Sequence, residues 1–418
     1  MTRDLVAGVD TSTQSCTMVL RRRSDGAVVG QARHPHPVTS PPRSEQDPKA
    51  WWSAFLACCK DLAADLGRVA AISVGGQGHG LVMLDAADAA LRPVKLWNDT
   101  ESAPDAVALL KRLPAADWAA RTGSVPAPAL TVSKLAWTER THPGLVARAA
   151  RIMLPFDYMV YRMSGRSVTE RGGSTGTGYF NPFTNAWDPG LADLAVPGID
   201  WPAVLPEIIG SGDPAGTIPA ASGLGALEGA VVGAGSGDNM TAALGMAIRP
   251  GDTAISLGTS GTVYGISDTG VIDPTGAING YADATGRFLP MITTLNAAKV
   301  TDTIRRLIGT SSRSSMPWLS RARPAPRDGA FALPRRRAHA ELAGRPRRAG
   351  RARLVHLARG ARAGDDRGGA VQPARGRGSP EGAWRARRRP ADRDGRRCQV
   401  ARLPADPGRP RWARGLDL

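Results

Sequence analysis

The amino-acid sequence predicts an α/β protein, and three observations carry that prediction. Short apolar runs at 5–9, 69–74, 229–234 and 253–257 each end in a glycine- or hydroxyl-rich turn, as buried strands do. Stretches with helical spacing separate them. No repeat of solenoid length competes with that reading.

Taken in order, Leu5-Val-Ala-Gly-Val9 reads as a strand entering the polar turn Asp10-Thr-Ser-Thr-Gln-Ser15, with Cys16-Thr-Met-Val-Leu20 as its hairpin return. Segment 48–66 reads as a helix, with Pro48 in the first turn and Trp51, Trp52, Phe55, Leu56, Cys59 and Leu62 on or near one face. Val69-Ala-Ala-Ile-Ser-Val74 feeds the turn Gly75-Gly-Gln-Gly-His-Gly80, and Leu81-Val-Met-Leu-Asp85 continues as a strand. Residues 104–165 read mostly as helices. The strand at 229–234 precedes Gly235-Ser-Gly-Asp-Asn239 and the helical run 240–246, and Thr253-Ala-Ile-Ser-Leu257 leads into Ser256-Leu-Gly-Thr-Ser-Gly-Thr262.

The net charge of +17 suggests a polyanion partner, but its distribution argues otherwise. Residues 311–418 hold 28 Arg, no Lys and nine acidic side chains, so residues 1–310 carry a net charge of only −2. The tail also lacks Ile and Tyr, and its aromatic residues are Trp318, Phe331, Trp384 and Trp412. A specific nucleic-acid surface would mix Lys with Arg and supply aromatic rings for stacking. Such a tail cannot bury enough apolar surface to offset its chain entropy and is expected to be disordered. The four cysteines, Cys16, Cys58, Cys59 and Cys398, form no zinc spacing and are too few for a disulfide framework. No apolar run approaches the ~18 residues that span a membrane, so a reducing cytoplasm is the simplest setting.

Several turns could carry chemistry. Asp10 at a strand end, followed by Thr11, Ser12, Thr13 and Ser15, offers hydroxyls and N–H groups to phosphate oxygens and a carboxylate to hydrated Mg²⁺. The Gly-Thr-Ser-Gly turn at 258–261 is similar; each alone is more often a plain turn, and the pair together points to a nucleotide cleft between two domains. Asp238 sits in a glycine-rich turn just before a helix, where it can face a substrate or simply act as an N-cap. His79, between Gly78 and Gly80, can point into a cleft, although a histidine in such a turn is more often structural.

In this order the turns resemble the FGGY carbohydrate kinases, most closely their xylulokinase members. The matching segments are Gly8-Val-Asp-Thr-Ser12, Ser44-Glu-Gln-Asp-Pro48 with Trp51-Trp52, Gly76-Gln-Gly-His-Gly80, Leu96-Trp-Asn-Asp99, Leu154-Pro-Phe-Asp-Tyr158, Gly235-Ser-Gly-Asp-Asn239 and Leu257-Gly-Thr-Ser-Gly261. The resemblance implies two actin-like, ribonuclease-H-like domains: an N-terminal domain over 1–243 and the start of a C-terminal domain over 244–310, left incomplete. It implies that Asp238 is a general base, that Asp10 stands near Mg²⁺, and that Thr13 and Ser15 lie in the first phosphate loop. Gly258 and Thr259 match the second loop, and Gly78, His79 and Asn239 match residues that hold the sugar. ATP and Mg²⁺ are then the cofactors and D-xylulose, phosphorylated at O5, the expected substrate; ribulose, fuculose, gluconate and glycerol are the alternatives, as is a non-catalytic remnant. No nucleic acid or membrane partner is implied, and a homodimer is left open. The sequence departs from the family at Gly78, where a bulkier residue is common, at Phe156, where Lys is common, and near Gly173, where an Asp is expected. These departures bear on which sugar is held.

The tail reads as a shifted frame. Codons for residues 332–344 can be chosen so that dropping one base yields Pro-Tyr-Leu-Asp-Gly-Glu-Arg-Thr-Pro, a segment the family carries and this chain lacks. The same offset at 390–400 yields Arg-Leu-Ile-Val-Thr-Gly-Gly-Ala-Ala-Arg, similar to the family's adenosine loop, and at 365–376 it yields a helical Met-Ile-Ala-Ala-Ala-Leu-Phe-Asn-Leu-Arg-Glu. Three hits in family order with one offset make a frameshifted translation the expectation for 311–418.

Overall fold

A computed structural model describes residues 2–257 and 261–294, together with the backbone of 397–402. The larger unit begins with β1 (Leu5–Thr11), β2 (Ser15–Arg22) and β3 (Val28–Pro35), then α1 (Pro48–Asp61) and β4 (Val69–Gly76). It continues through α2 (Thr131–Thr141), α3 (Pro155–Ser164), β5 (Pro214–Thr217), β6 (Val231–Gly233), β7 (Ser236–Gly237) and α4 (Asp238–Gly245). One sheet takes the order β5-β6-β4-β1-β2-β3, with β7 also pairing on β4. β1, β6 and β7 run parallel to β4, whereas β2 and β3 are antiparallel returns.

The alternation in β1 sets which face is covered. Leu5, Ala7, Val9 and Thr11 are buried while Gly8 and Asp10 are exposed on the other side. The buried row packs with Ile72 and Val74 of β4 against Trp51, Phe55 and Cys58 of α1 and Phe156, Met159 and Val160 of α3. Each large apolar side chain so enclosed contributes about 1.5–3 kcal/mol. Asp47 caps α1 by accepting from Lys49 N at 2.9 Å, and Pro48 fills the first turn, where its missing N–H leaves no bond unmade. The expected helix over 48–66 is in fact two, ending at Asp61 and resuming as Ala63–Leu66. Leu56, placed by sequence on the apolar face, is 41% exposed, because it falls past the Trp52 edge of that stripe. The region 104–165 is mainly helical as expected, through Ala103–Arg112, Ala115–Thr122, α2 and α3. It also holds a short strand, Arg151–Met153, that pairs with Val82–Leu84. Cys16, Cys58 and Cys59 are buried free thiols, and no described helix is long and apolar enough to cross a membrane.

A second sheet is built from β8 (Asp252–Leu257), β9 (Gly261–Gly265), β10 (Asn279–Ala282), β11 (Phe288–Thr294) and β12 (Arg397–Arg402). Its order is β10-β11-β9-β8-β12, antiparallel throughout. β12 falls inside the tail expected to be disordered; the rest of that expectation lies outside the described residues. The second sheet touches helical parts of the larger unit: Gly280 N donates to the carbonyl of Gly123, which ends the helix Ala115–Thr122, at 2.6 Å, and Arg171 lies 3.6 Å from Asp283. Gly123 has φ +69, and a Cβ there would stand 2.5 Å from the Gly280 carbonyl oxygen, so only glycine permits the approach.

Irregular segments are fixed by a buried charge. Lys95, fully buried, donates to Asp99 at 3.0 Å and Glu101 at 2.5 Å, with Glu45 3.2 Å away and the Trp137 ring beneath at 3.8 Å. Glu45, Asp99 and Glu101 lie close enough together to suggest a metal site, but the ammonium already fills it. Replacing Lys95 with Met should leave Asp99 buried without its cation and lower stability by roughly 3–5 kcal/mol, read as a shifted urea midpoint. An unchanged midpoint would show that the network is not holding these segments.

Candidate functional site

The register of the parallel strands assembles the site. Thr11 of β1 stands opposite Gly76 of β4, and Gly76 stands opposite Gly237 of β7. The turns that follow these three strands therefore leave one edge of the sheet side by side, and Gln77 N donates to Thr11 O at 3.1 Å to fasten two of them. Asp10 and Thr13, Gly78 and His79, and Asp238 and Asn239 are brought together in this way, at the carboxyl ends where open α/β sheets bind ligands. Gly258 and Thr259 lie outside the described residues, in the connection between β8 and β9, whose register sets Leu257 opposite Gly261.

The first turn is held by side chains from two distant segments. Trp97 Nε1 donates to Thr13 Oγ1 at 2.8 Å, and Gln46 Nε2 donates to the Thr13 carbonyl at 3.0 Å and to the Pro37 carbonyl at 2.6 Å. Trp51 Nε1 in turn donates to Gln46 Oε1 at 2.7 Å, and Ser44 N donates to Asp99 Oδ2 at 2.8 Å. Gln46 thus ties this turn to the core, while Asp99 holds the backbone of Ser44 two residues earlier. Ser15, also expected in the phosphate loop, has its hydroxyl buried and accepting from Arg33 Nε at 3.0 Å. Asp10 is exposed on the uncovered face of the sheet.

His79 has φ 65, an uncommon conformation for a residue with a Cβ. Its carbonyl accepts from Thr131 Oγ1 at 3.2 Å, its ring stacks edge-on with Tyr281 of the second sheet at 5.5 Å, and Gly176 closes its other side. Burial, aided by the nearby Lys134 ammonium, pulls its pKa down to about 3, so the imidazole is neutral at ordinary pH. Lys134 is itself pushed down to about 7 by burial and donates to the carbonyls of Pro128 at 3.0 Å and of Ala129.

Asp238 is the first residue of α4, whose N-cap is Gly237, so it is not the cap. Its Oδ1 accepts from the Asn239 backbone N–H at 2.8 Å and from Asn239 Nδ2 at 2.9 Å, which sets the two side chains together. Sequence reasoning assigned no role to Glu170, yet this buried carboxylate organises the approach to Asp238. It accepts from Gly172 N at 2.8 Å, Gly173 N at 2.6 Å, Ser211 Oγ at 2.9 Å and Ser236 Oγ, two residues before Asp238. Burial pushes its pKa up against the pull of these donors. The Asp157 carboxyl nearby is raised to about 8 by burial. A groove of about 590 Å³, lined by Val6, Gly8, Val19, Ser73, Val231 and Leu244 among others, opens on the uncovered face of the sheet and includes none of the residues of the turns at 77–80 and 238–239.

Phe156 lies beneath the turns in a cage of glycines. A Cβ on Gly173 would stand 2.2 Å from Phe156 Cζ, one on Gly76 2.9 Å from Phe156 Cβ, and one on Gly235 3.2 Å from Phe156 Cδ2. The unusual Phe156 and the unusual Gly173 are thus one packing event. Gly173→Ala should lower stability by about 1–3 kcal/mol through overpacking, and Phe156→Leu in the same chain should recover part of it. Additive losses in a double-mutant cycle of thermal unfolding would refute the pairing.

Residues 5–245 match the N-terminal domain of the FGGY family of carbohydrate kinases. The chain is 42% identical over 314 residues to the xylulose kinase of Streptomyces rubiginosus, covering 75% of this chain and 65% of that protein. It is 43% identical over 317 residues to the xylulose kinase of Streptomyces coelicolor, again covering 65% of the relative. The crystal structure of xylulose kinase from Bifidobacterium adolescentis superposes with a TM-score of 0.69 at 32% identity, over 77% of this chain and 71% of that one. The chain thus spans about 65% of the length of the curated relatives it matches. With more than half its residues under the family's N-terminal domain and that domain's turns meeting at one sheet edge, the chain belongs to the FGGY family of carbohydrate kinases.

Proposed function

We propose that this chain is the sugar-holding part of an ATP-dependent kinase for D-xylulose, with transfer of the γ-phosphoryl group to O5. The observation that carries the reading is the Asp238–Asn239 pair standing beside the Gln77–His79 turn at the ends of adjacent parallel strands. Asp238 accepts the proton of the attacking hydroxyl, while Asn239, Gly78 and a neutral His79 hold the ketose. Phosphoryl transfer asks little covalent chemistry of a protein beyond a placed base and charge neutralisation. The donor set at the first turn fits that need. Asp10 offers an exposed carboxylate for a hydrated Mg²⁺, and Thr13, held by Trp97 and Gln46, lies in the turn that would meet ATP phosphate, with Gly258 and Thr259 as its counterpart in the second unit. Kinship with xylulose kinases favours D-xylulose over ribulose, fuculose, gluconate and glycerol.

Asp238→Asn should keep D-xylulose binding while lowering sugar-dependent ADP formation by ~10²–10⁴-fold. Turnover that survives the substitution would remove Asp238 as the base. Binding without turnover in the unmodified chain would mark it as a sugar-holding remnant.

The codon readings at 332–344, 365–376 and 390–400 support a frameshift near 305–334 as the origin of the Arg-rich tail. Sequencing the gene across codons 300–340 should reveal a base gained or lost relative to a frame that continues the kinase. An unshifted frame with only the present tail would refute this origin.

A further inference from the structure

The carboxamide of Gln77 is 2% exposed, and neither its Nε2 nor its Oε1 has a hydrogen-bond partner among the described residues. Buried side-chain amides are otherwise almost always paired, because an amide removed from water without partners is costly. Here donor and acceptor are both unused. Nothing about the backbone is loose: Gln77 N is bonded to Thr11 O at 3.1 Å. Its surroundings repeat the pattern. His79 Nδ1 and Thr11 Oγ1 are also buried and unpaired, and a Cβ built on Gly78, between Gln77 and His79, would meet nothing within 4 Å. Unsatisfied polar atoms beside open space, at a strand end next to Asp238, describe a cavity wall shaped for a polar molecule.

We propose that Gln77 is a specificity-determining contact to the sugar, its Nε2 donating to one hydroxyl oxygen and its Oε1 accepting from a neighbouring hydroxyl. A carboxamide presents a donor and an acceptor side by side, which matches two adjacent hydroxyls of a ketose, each able to give and take a hydrogen bond. A residue that only filled space would be better served by Leu or Met. The assignment deepens the kinase reading above and rests on it.

The test is calorimetric titration of D-xylulose into the full chain, alongside Gln77→Leu and Gln77→Glu, with the melting temperature of each. Gln77→Leu should weaken D-xylulose by about 10- to 100-fold while leaving the melting temperature equal or higher, since it removes an unpaired buried amide. Gln77→Glu, which keeps the acceptor and loses the donor, should also weaken binding and serves if the Leu variant fails to fold. The loss caused by Gln77→Leu should vanish for the deoxy analogue of D-xylulose that lacks the contacted hydroxyl. Equal affinity in the wild-type chain and a folded variant overturns the role of Gln77 alone. A lower melting temperature with unchanged affinity assigns the amide to the fold instead. Absence of saturable D-xylulose binding in the wild-type chain overturns the kinase reading, and the proposal with it.

Discussion

The parallel pairing of β4 with β1 on one side and β7 on the other is the constraint on which the site depends. It ends three strands at one edge, so residues far apart in the chain emerge as neighbours. Keeping them there requires glycine. A Cβ on Gly75 would stand 2.6 Å from Thr241 Oγ1 of α4, and one on Gly76 would stand 2.8 Å from Thr11 Cγ2. The glycines of this turn therefore serve close packing of helix on strand end. They bring the N-terminus of α4, with Asp238 at its head, down onto the strands.

The second constraint is polar. Two stretches that border the site, 37–47 and 92–101, contain little regular structure beyond a two-residue ladder of Glu45–Gln46 with Val94–Lys95, which leaves most of their polar groups to other partners. Lys95, Gln46 and Asp99 add to that ladder, with side chains bonding to backbone and to one another. Glu170 plays the same part on the other flank, gathering two backbone N–H groups and two serines. A buried carboxylate with four donors is a rigid joint. Its bond from Ser236, two residues before Asp238, carries that rigidity into the site.

How much of this the sequence discloses follows from range. The strands at the start of the chain and the Gly-Ser-Gly-Asp-Asn turn are local patterns, and they were legible as such. The xylulokinase-like motifs located Asp238, Asn239 and His79, and the register brings these together. The supporting contacts are a different matter. Trp97 reaches Thr13 across 84 positions and Ser236 reaches Glu170 across 66, and no periodicity encodes such pairs. The motif around Gln77 does not disclose a role for it, because an unpaired amide shows itself only when its surroundings are known. Leu56 is the opposite case: it is hydrophobic, but its angle on the helix lies beyond Trp52 and leaves it exposed.

The strand β12 invites an objection to an out-of-frame tail, since residues 397–402 pair with β8 along its whole length, from Asp252 opposite Arg402 to Leu257 opposite Arg397. The objection does not hold. An antiparallel ladder is made of N–H and C=O groups that every reading frame supplies alike, and an open edge strand recruits whatever extended chain is near. Side-chain pattern, the part that a frame shift destroys, is needed to close a hydrophobic core rather than to fill an edge. Among the described residues, the core of this second unit centres on Ala254, Tyr264, Tyr281, Leu289 and Met291 of β8 to β11, with Met240 and Ala243 of α4. Backbone pairing along β8 is thus compatible with a tail of any reading frame, since the ladder asks nothing of the side chains.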